Sequence, residues 1–297
     1  MQEETKTPHI IRINLIIVGQ LYEAFRNDCT EERRVGMRAK LIAWRTLVPV
    51  LASMMLFTSS AGGAEIRVMI SGGLSAAYIE LIPEFERSTG HPVVTARGAS
   101  MGTAPDSIPS RLQRGEPVDV FVMVGDALEG LVKQGKIAVG TRVDLARSRI
   151  GVAVRAGSPK PDIRSVDAFK RAMLDAKSLA YSSSASGVYL STELFPRLGI
   201  ADQVKGKSRM IESEPVGAAV ARGEAEIAFQ QISELLPVPG IDLVGPLPAE
   251  IQKITVFSAG IAAGAKEPDA ARALIKFLAS PAAAPAITKS ALEPMTP

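Results

Sequence analysis

Two short polar loops carry the residues best suited to chemistry. Tyr181-Ser182-Ser183-Ser184-Ala185-Ser186-Gly187 joins an apolar strand-like run, Ser178-Leu179-Ala180, to a helix-like run over 188–198. Small hydroxyls and free backbone N–H groups at a helix N-terminus form an anion site. Ser184, Ser186 and Gly187 are the expected contacts, with Tyr189 on the first helical turn. Four hydroxyls exceed what one helix cap needs. A second loop of the same kind, Ser71-Gly72-Gly73-Leu74-Ser75, follows another apolar run. Its Ser71, Gly72, Gly73 and Ser75 are expected to face the first loop across a cleft and hold a small anion. Arg97, Ser100 and Thr103, in a long polar loop over 97–108, are further candidates, as are Gln230 and Gln231 after a strand-like run over 226–229. For Arg97 the plainer reading is a solvated loop residue. For the glutamines it is a strand end whose amides pair with backbone.

Those loops need strands and helices to hold them. Residues 65–70 are apolar and β-branched, as in a strand. After the turn, Ser75 is placed to cap a helix whose Tyr78, Leu81, Ile82 and Phe85 share one face, with a bend expected at Pro83. Strands are expected over 93–96 and over 118–124. The second is apolar almost throughout, like a strand buried on both faces. Glu116 and Asp119 are expected to fix the corner before it, and Asp126 to cap the next helix. Further strands are expected at 148–156, 178–181, 209–211, 226–229, 242–244 and 253–262. Helices are expected at 165–176, 215–222 and 269–278. Alternation of strand and helix predicts a parallel α/β sheet.

Composition removes several classes of chemistry. Residues 37–64 have the form of a secretory leader: a basic start at Arg38, Lys40 and Arg45, an apolar run over 46–57, then Gly62-Gly63-Ala64. The expected start is Met37, with residues 1–36 a start-site artefact or, alternatively, a real extension. An uncleaved membrane anchor is the bland alternative for the leader. The single cysteine, Cys29, and the single tryptophan, Trp44, both precede Glu65. From Glu65 onward the only histidine is His91, read as a turn residue. Disulfides, thiolate chemistry, a histidine-based triad and a multi-histidine metal site are thereby excluded from that part of the chain. It carries 26 basic and 25 acidic residues, with no basic stripe or aromatic platform, so nucleic acid is not an expected partner. No GxxxxGK[ST] or GxGxxG loop is present, and no cofactor or metal is expected.

The leader, the strand–Ser-Gly-Gly-Leu-Ser–helix start and the strand–serine loop–helix middle together resemble type II periplasmic solute-binding proteins, in particular the molybdate-binding family. Residues 70–90, 112–126 (LQRGEPVDVFVMVGD) and 179–199 carry the likeness, which extends over 65–289. It implies a two-domain α/β fold with the ligand cleft between the domains. Residues 65–147 and 245–297 would form the first domain and residues 148–244 the second. There are departures. Gly73 stands about where that family has a serine, the second loop is longer and contains Arg97, and Phe229-Gln230-Gln231 occupies the region of an expected tyrosine. Arg and Gln suit a carboxylate better than a compact tetrahedral oxyanion. Residues 98–112, 229–240 and 181–189 also resemble aconitate isomerases, secreted enzymes on the same fold.

Two functions follow from these likenesses, and the sequence does not separate them. One is a periplasmic, monomeric binding protein that delivers an oxyanion or a small di- or tricarboxylate to the membrane subunits of an ABC importer. The other is an enzyme of the aconitate-isomerase kind, with Tyr181, Tyr189, Glu214 or a bound water as the base. A sensory module reporting solute to a membrane receptor is a third, weaker fit.

Overall fold

The computed structural model describes residues 63–295, so the leader expected at 37–64, all but its last two residues, and everything before it lie outside the described residues. The strands β1 (Ile66–Ile70), β2 (Val93–Arg97) and β3 (Val120–Val124) run parallel, with Val68 opposite both Thr95 and Val120. All five residues of β3 are buried, which is why that run lacks polar alternation. Between these strands lie α1 (Gly72–Thr89) and α2 (Ile108–Gln113), and α3 (Gly125–Lys133) follows β3. Asp119 fixes the corner before β3. Its two carboxylate oxygens accept from the backbone N–H groups of Arg67 (2.9 Å) and Lys266 (2.8 Å). Asp126 lies in the first turn of α3 and does not cap it; Val124 holds the N-cap position.

The thirteen-residue β4 (Val143–Arg155) joins the two halves of the sheet. Beyond it come α4 (Val166–Asp175), β5 (Leu179–Ser182), α5 (Ala185–Tyr189), a π-helical turn over Leu190–Leu194, α6 (Phe195–Arg197), α7 (Ala201–Lys205) and β6 (Ser208–Ile211). Then follow α8 (Val216–Ala221), β7 (Ile227–Gln231), α9 (Ile232–Leu235), β8 (Ile241–Pro246) and β9 (Ile254–Ile261). The chain closes with α10 (Pro268–Leu278), α11 (Ala284–Lys289) and β10 (Glu293–Pro294).

The sheet order is β2-β1-β3-β9-β4-β7-β5-β6, with β8 and β10 also paired to β4. It is mixed, not parallel throughout. The first part of β4 runs antiparallel to β9, and its second part runs antiparallel to β7 and β8. The reason is directional: the chain leaves the first half of the sheet along β4 and comes back along β9, so those two must oppose each other.

Each half has apolar layers on both faces. Ile66, Val68 and Ile70 of β1 pack with Leu81 and Phe85 of α1 and Leu274 and Leu278 of α10, while Met69 joins Phe121, Met123 and Leu128 on the opposite face. In the other half, Phe229 lies edge-on to Phe169 (6.1 Å) and Phe195 (6.4 Å) on one side, and Ala228 meets Val216, Val220 and Leu235 on the other. Alternation along each strand therefore places alternate residues in separate cores.

Two helix starts differ from the spacing-based expectation. Helix α1 begins at Gly72 with Ser71 at the N-cap, so Ser75 lies inside the helix, which runs on through Pro83. Helix α5 begins at Ala185 with Ser184 at the N-cap, three residues before Val188. In both cases small residues carry the helix back toward the strand end. At Gly187 a Cβ would stand 1.7 Å from the Ser182 carbonyl oxygen, so only glycine lets α5 lie this close to β5.

Candidate functional site

The N-terminal turns of α1 and α5 line one cleft of about 470 Å³, within the roughly 300–1,000 Å³ range of small-molecule sites. From the first half of the sheet come Ser71, Gly72, Gly73 and Ser75 at the start of α1, Arg97 at the end of β2, and Asp106 from the loop that follows. From the second half come Ser182, Ser183, Ser184 and Ser186 at the β5–α5 junction, Glu212, Ser213 and Glu214 after β6, and Gln230, Gln231, Ser233 and Glu234 at the β7–α9 junction. Phe257 of β9 also lines the cleft. The eighteen residues of α1 place the positive end of a substantial helix dipole here.

Several polar atoms are held ready without a protein partner. Ser71 is 3 % exposed, Ser233 2 % and Gln231 2 %. The hydroxyls of Ser71, Ser183 and Ser233 and the Oε1 of Gln231 are buried and lack a hydrogen bond. Each such group costs about 1–3 kcal/mol when left unsatisfied, so a ligand that engages them recovers that cost. Ser71 sits at the N-cap of α1 yet its side chain does not cap the helix. The Gln231 Nε2 donates to Thr255 Oγ1 at 3.0 Å, which orients its carbonyl oxygen. The Ser182 and Ser186 hydroxyls bond each other at 3.0 Å.

The cleft thus collects Ser71, Gly72, Gly73, Ser75, Arg97, Ser184, Ser186, Gln230 and Gln231, all singled out from the sequence. Four other residues expected to contact ligand lie elsewhere. The Ser100 hydroxyl is buried and accepts from the Val124 N–H at 3.0 Å, holding the β3–α3 turn. Thr103 is exposed on the loop and is not among the residues that line the cleft. Gly187 serves the approach of α5 to β5 described above. Tyr189 is buried in the core: its hydroxyl donates to the Ile251 carbonyl at 2.8 Å and accepts from Arg197 at 3.1 Å.

The bases considered from sequence fare similarly. Tyr181 lies outside the cleft lining, tilted against Phe195 at 6.4 Å, and burial pushes its hydroxyl pKa up. Glu214 lines the cleft but is gripped by both terminal nitrogens of Arg222 at 2.7 and 2.9 Å. Those hydrogen bonds hold its carboxyl below the usual glutamate range.

Sequence reasoning missed Glu234. Three residues after an N-cap, it reads as an ordinary first-turn acid. In the structure its Oε1 accepts from Gln230 Nε2 at 2.9 Å. Gln230 is itself oriented, since its Oε1 accepts from the Val216 N–H at 2.9 Å. Across the cleft, a Cβ on Gly72 would fall 2.0 Å from the same Glu234 oxygen, and a Cβ on Gly73 would fall 2.0 Å from the Phe257 ring. The two glycines thus make room for two side chains that arrive from other elements. The residue keeps intermediate solvent exposure along the cleft, while its carboxylate is densely packed among protein atoms. Burial raises its pKa to about 7, against the opposing effect of the Gln230 donor.

Arg97 is the one basic residue lining the cleft among the described residues, against Asp106, Glu212, Glu214 and Glu234. The Ser213 hydroxyl donates to Asp106 Oδ1 at 3.1 Å and ties the two rims together. The described residues contain no group of three or more His, Cys, Asp or Glu side chains placed to hold a metal ion.

Comparison with known proteins adds four findings. A family model described as bacterial extracellular solute-binding protein matches residues 66–292. An aconitate isomerase from Pseudomonas sp. is 51% identical over 230 residues, covering 77% of this chain and 88% of that protein. A molybdate-binding protein from Azotobacter vinelandii is 27% identical over 251 residues, covering 77% of this chain and 89% of that one. The solved periplasmic molybdate-binding protein of the same organism superposes with a TM-score of 0.62 at 21% identity, covering 78% of this chain and 99% of its own. The α/β fold is therefore that of periplasmic binding proteins.

Proposed function

Because the chain belongs to the bacterial extracellular solute-binding protein family, we propose that its cleft holds an unsaturated tricarboxylate and interconverts trans- and cis-aconitate. The observation that carries this reading is the extent of identity with the aconitate isomerase, about half of all aligned positions over most of both chains. The cleft is consistent with it. Unpartnered serine hydroxyls, the N-terminus of α1 and Arg97 can receive carboxylates. A partly buried carboxylate at the same place supplies a base.

The reaction is an allylic proton shift. A methylene proton leaves, the double bond moves one carbon along, and a proton returns at the former alkene carbon. No oxidant or cofactor is needed, because no electrons are gained or lost. The geometry of the product is set by how the terminal carboxylate is held when the proton leaves. Closing the cleft about β4 and the β8–β9 connection would shut out water, with residues 65–147 and 245–297 moving as one domain and 148–244 as the other. Export to the periplasm through residues 37–64 and action as a monomer complete the reading.

The second reading is a binding protein that hands molybdate or another oxyanion to an ABC importer. Similarity to the molybdate-binding protein and the serine-rich cradle favour it. One experiment decides. Purified protein is incubated with trans-aconitate and sampled for cis-aconitate, alongside calorimetric titration with molybdate, tungstate and sulfate. We expect turnover and no tight oxyanion binding. Tight molybdate binding without turnover would sink the isomerase reading.

A further inference from the structure

Resting on the isomerase reading, one side chain in the cleft stands apart as a base. Tyr189 is committed to the core, Tyr181 lies outside the lining, Glu214 is neutralised by Arg222, Asp106 is tied to the Ser213 hydroxyl, and Glu212 is exposed to solvent. Glu234 differs from all of these. It comes from the first turn of α9, reaches the cleft, and meets no cationic partner. Gln230 Nε2 occupies its Oε1, which leaves Oε2 without a protein donor among the described residues. Gly72 at the start of α1 lies against that carboxylate, so the group sits where an anion held by the helix N-terminus would present its reacting carbons.

We propose that Glu234 is the catalytic base that removes the methylene proton and returns it at the other terminal carbon. In the first step the C–H bond breaks, the proton goes to the Glu234 carboxylate, and the electron pair enters a dienolate spread over the three-carbon unit and its carboxylates. In the second step the proton leaves Glu234 and bonds to the former alkene carbon, using the electrons of the old double bond. Glu234 is a carboxylate again, and the substrate has changed only in the position and geometry of its double bond. One base suffices, because both carbons lie on the same three-carbon frame.

Gln230 and Gly72 are positioning residues in this scheme. Gln230, fixed by the Val216 N–H, sets the carboxylate's orientation, and Gly72 leaves the space it occupies. A pKa of about 7 suits the task, since such a carboxylate is basic enough to take a carbon-bound proton yet is largely ionised at slightly alkaline pH. The other charged groups lining the cleft are Arg97, Asp106, Glu212 and Glu214.

The test compares wild-type protein, Glu234→Gln and Glu234→Asp in three measurements: turnover of trans-aconitate, calorimetric binding of the same compound, and deuterium uptake into it from heavy water. For Glu234→Gln we expect turnover and deuterium uptake to fall by about 10²–10⁴-fold, with binding retained or tightened by loss of a nearby negative charge. For wild type kcat/KM should rise as pH rises through about 7, and Glu234→Asp should keep measurable activity with an altered pH profile. If Glu234→Gln turns over trans-aconitate as fast as wild type, this assignment is wrong and the isomerase reading stands. If wild type itself neither turns it over nor exchanges its protons, the isomerase reading fails and the assignment fails with it. Loss of activity together with loss of binding in Glu234→Gln would make Glu234 a binding group and overturn its role as base.

Discussion

At the residue scale, the cleft is defined by groups kept short of partners. Ser71, Ser183, Ser233 and Gln231 each present a buried polar atom that the protein leaves unbonded. Glu234 is the costly member, because its charge is desolvated without a cation to offset it. The consequence for stability has a definite sign. Its folded pKa of about 7 exceeds the ordinary 4.5, so the folded protein holds a proton that the unfolded chain gives up between those values. Stability contributed at this site is therefore intact below pH 4.5 and declines as pH rises toward 7, by about 3 kcal/mol in full. Urea unfolding midpoints of the ligand-free protein, measured from pH 4.5 to 8, should fall more steeply for wild type than for Glu234→Gln. Parallel curves would mean that the carboxylate is not desolvated. Of these residues, Ser71 and Gln231 were legible in the sequence as cleft candidates. Glu234 was not, since nothing local separates an acid that faces a cleft from one that faces solvent.

At the element scale, glycines decide how closely helices approach what lies beside them, and they do so in two ways. At Gly72 the obstacle to a Cβ is the far end of a flexible glutamate. At Gly187 it is a backbone carbonyl of β5. Gly72→Ala should then leave the unfolding free energy within roughly ±0.5 kcal/mol of wild type, while displacing Glu234 and lowering turnover by about tenfold or more. Gly187→Ala should destabilise the fold by about 1–3 kcal/mol, because α5 or β5 has to move. Thermal unfolding and steady-state kinetics on the two variants separate these cases. Equal stability losses would contradict the distinction. The π-helical turn at Leu190–Leu194 sits just before Pro196, which lacks an N–H to continue the regular ladder.

For the whole molecule, the cleft exists because β4 and β9 carry the chain between two halves of one sheet. Both rims already meet through the Ser213–Asp106 hydrogen bond and through Glu234 against Gly72. A ligand that bridges the halves should bind the folded state alone and stabilise it by mass action. At a concentration one hundred times its Kd, trans-aconitate should add about 2.7 kcal/mol and raise Tm accordingly. An unchanged Tm at that concentration would argue against a ligand site in the cleft. Among the described residues no helix is long and apolar enough to cross a membrane.

The α/β class, the two serine-bearing loops and most of the elements that support them were legible from the residues alone, because apolar periodicity and turn residues are local signals. So was the chemistry that the chain from Glu65 onward lacks the side chains to perform. Tertiary packing set which loop residues share the cleft: it gives Ser100, Gly187 and Tyr189 structural posts, leaves Thr103 exposed outside the lining, and brings in Glu234 and Phe257. The reason is physical. A residue type and its spacing fix which secondary element it joins, whereas its exposure, partners and pKa depend on elements far away in the chain, here α1 against α9 and Thr255 of β9 against Gln231 at the end of β7.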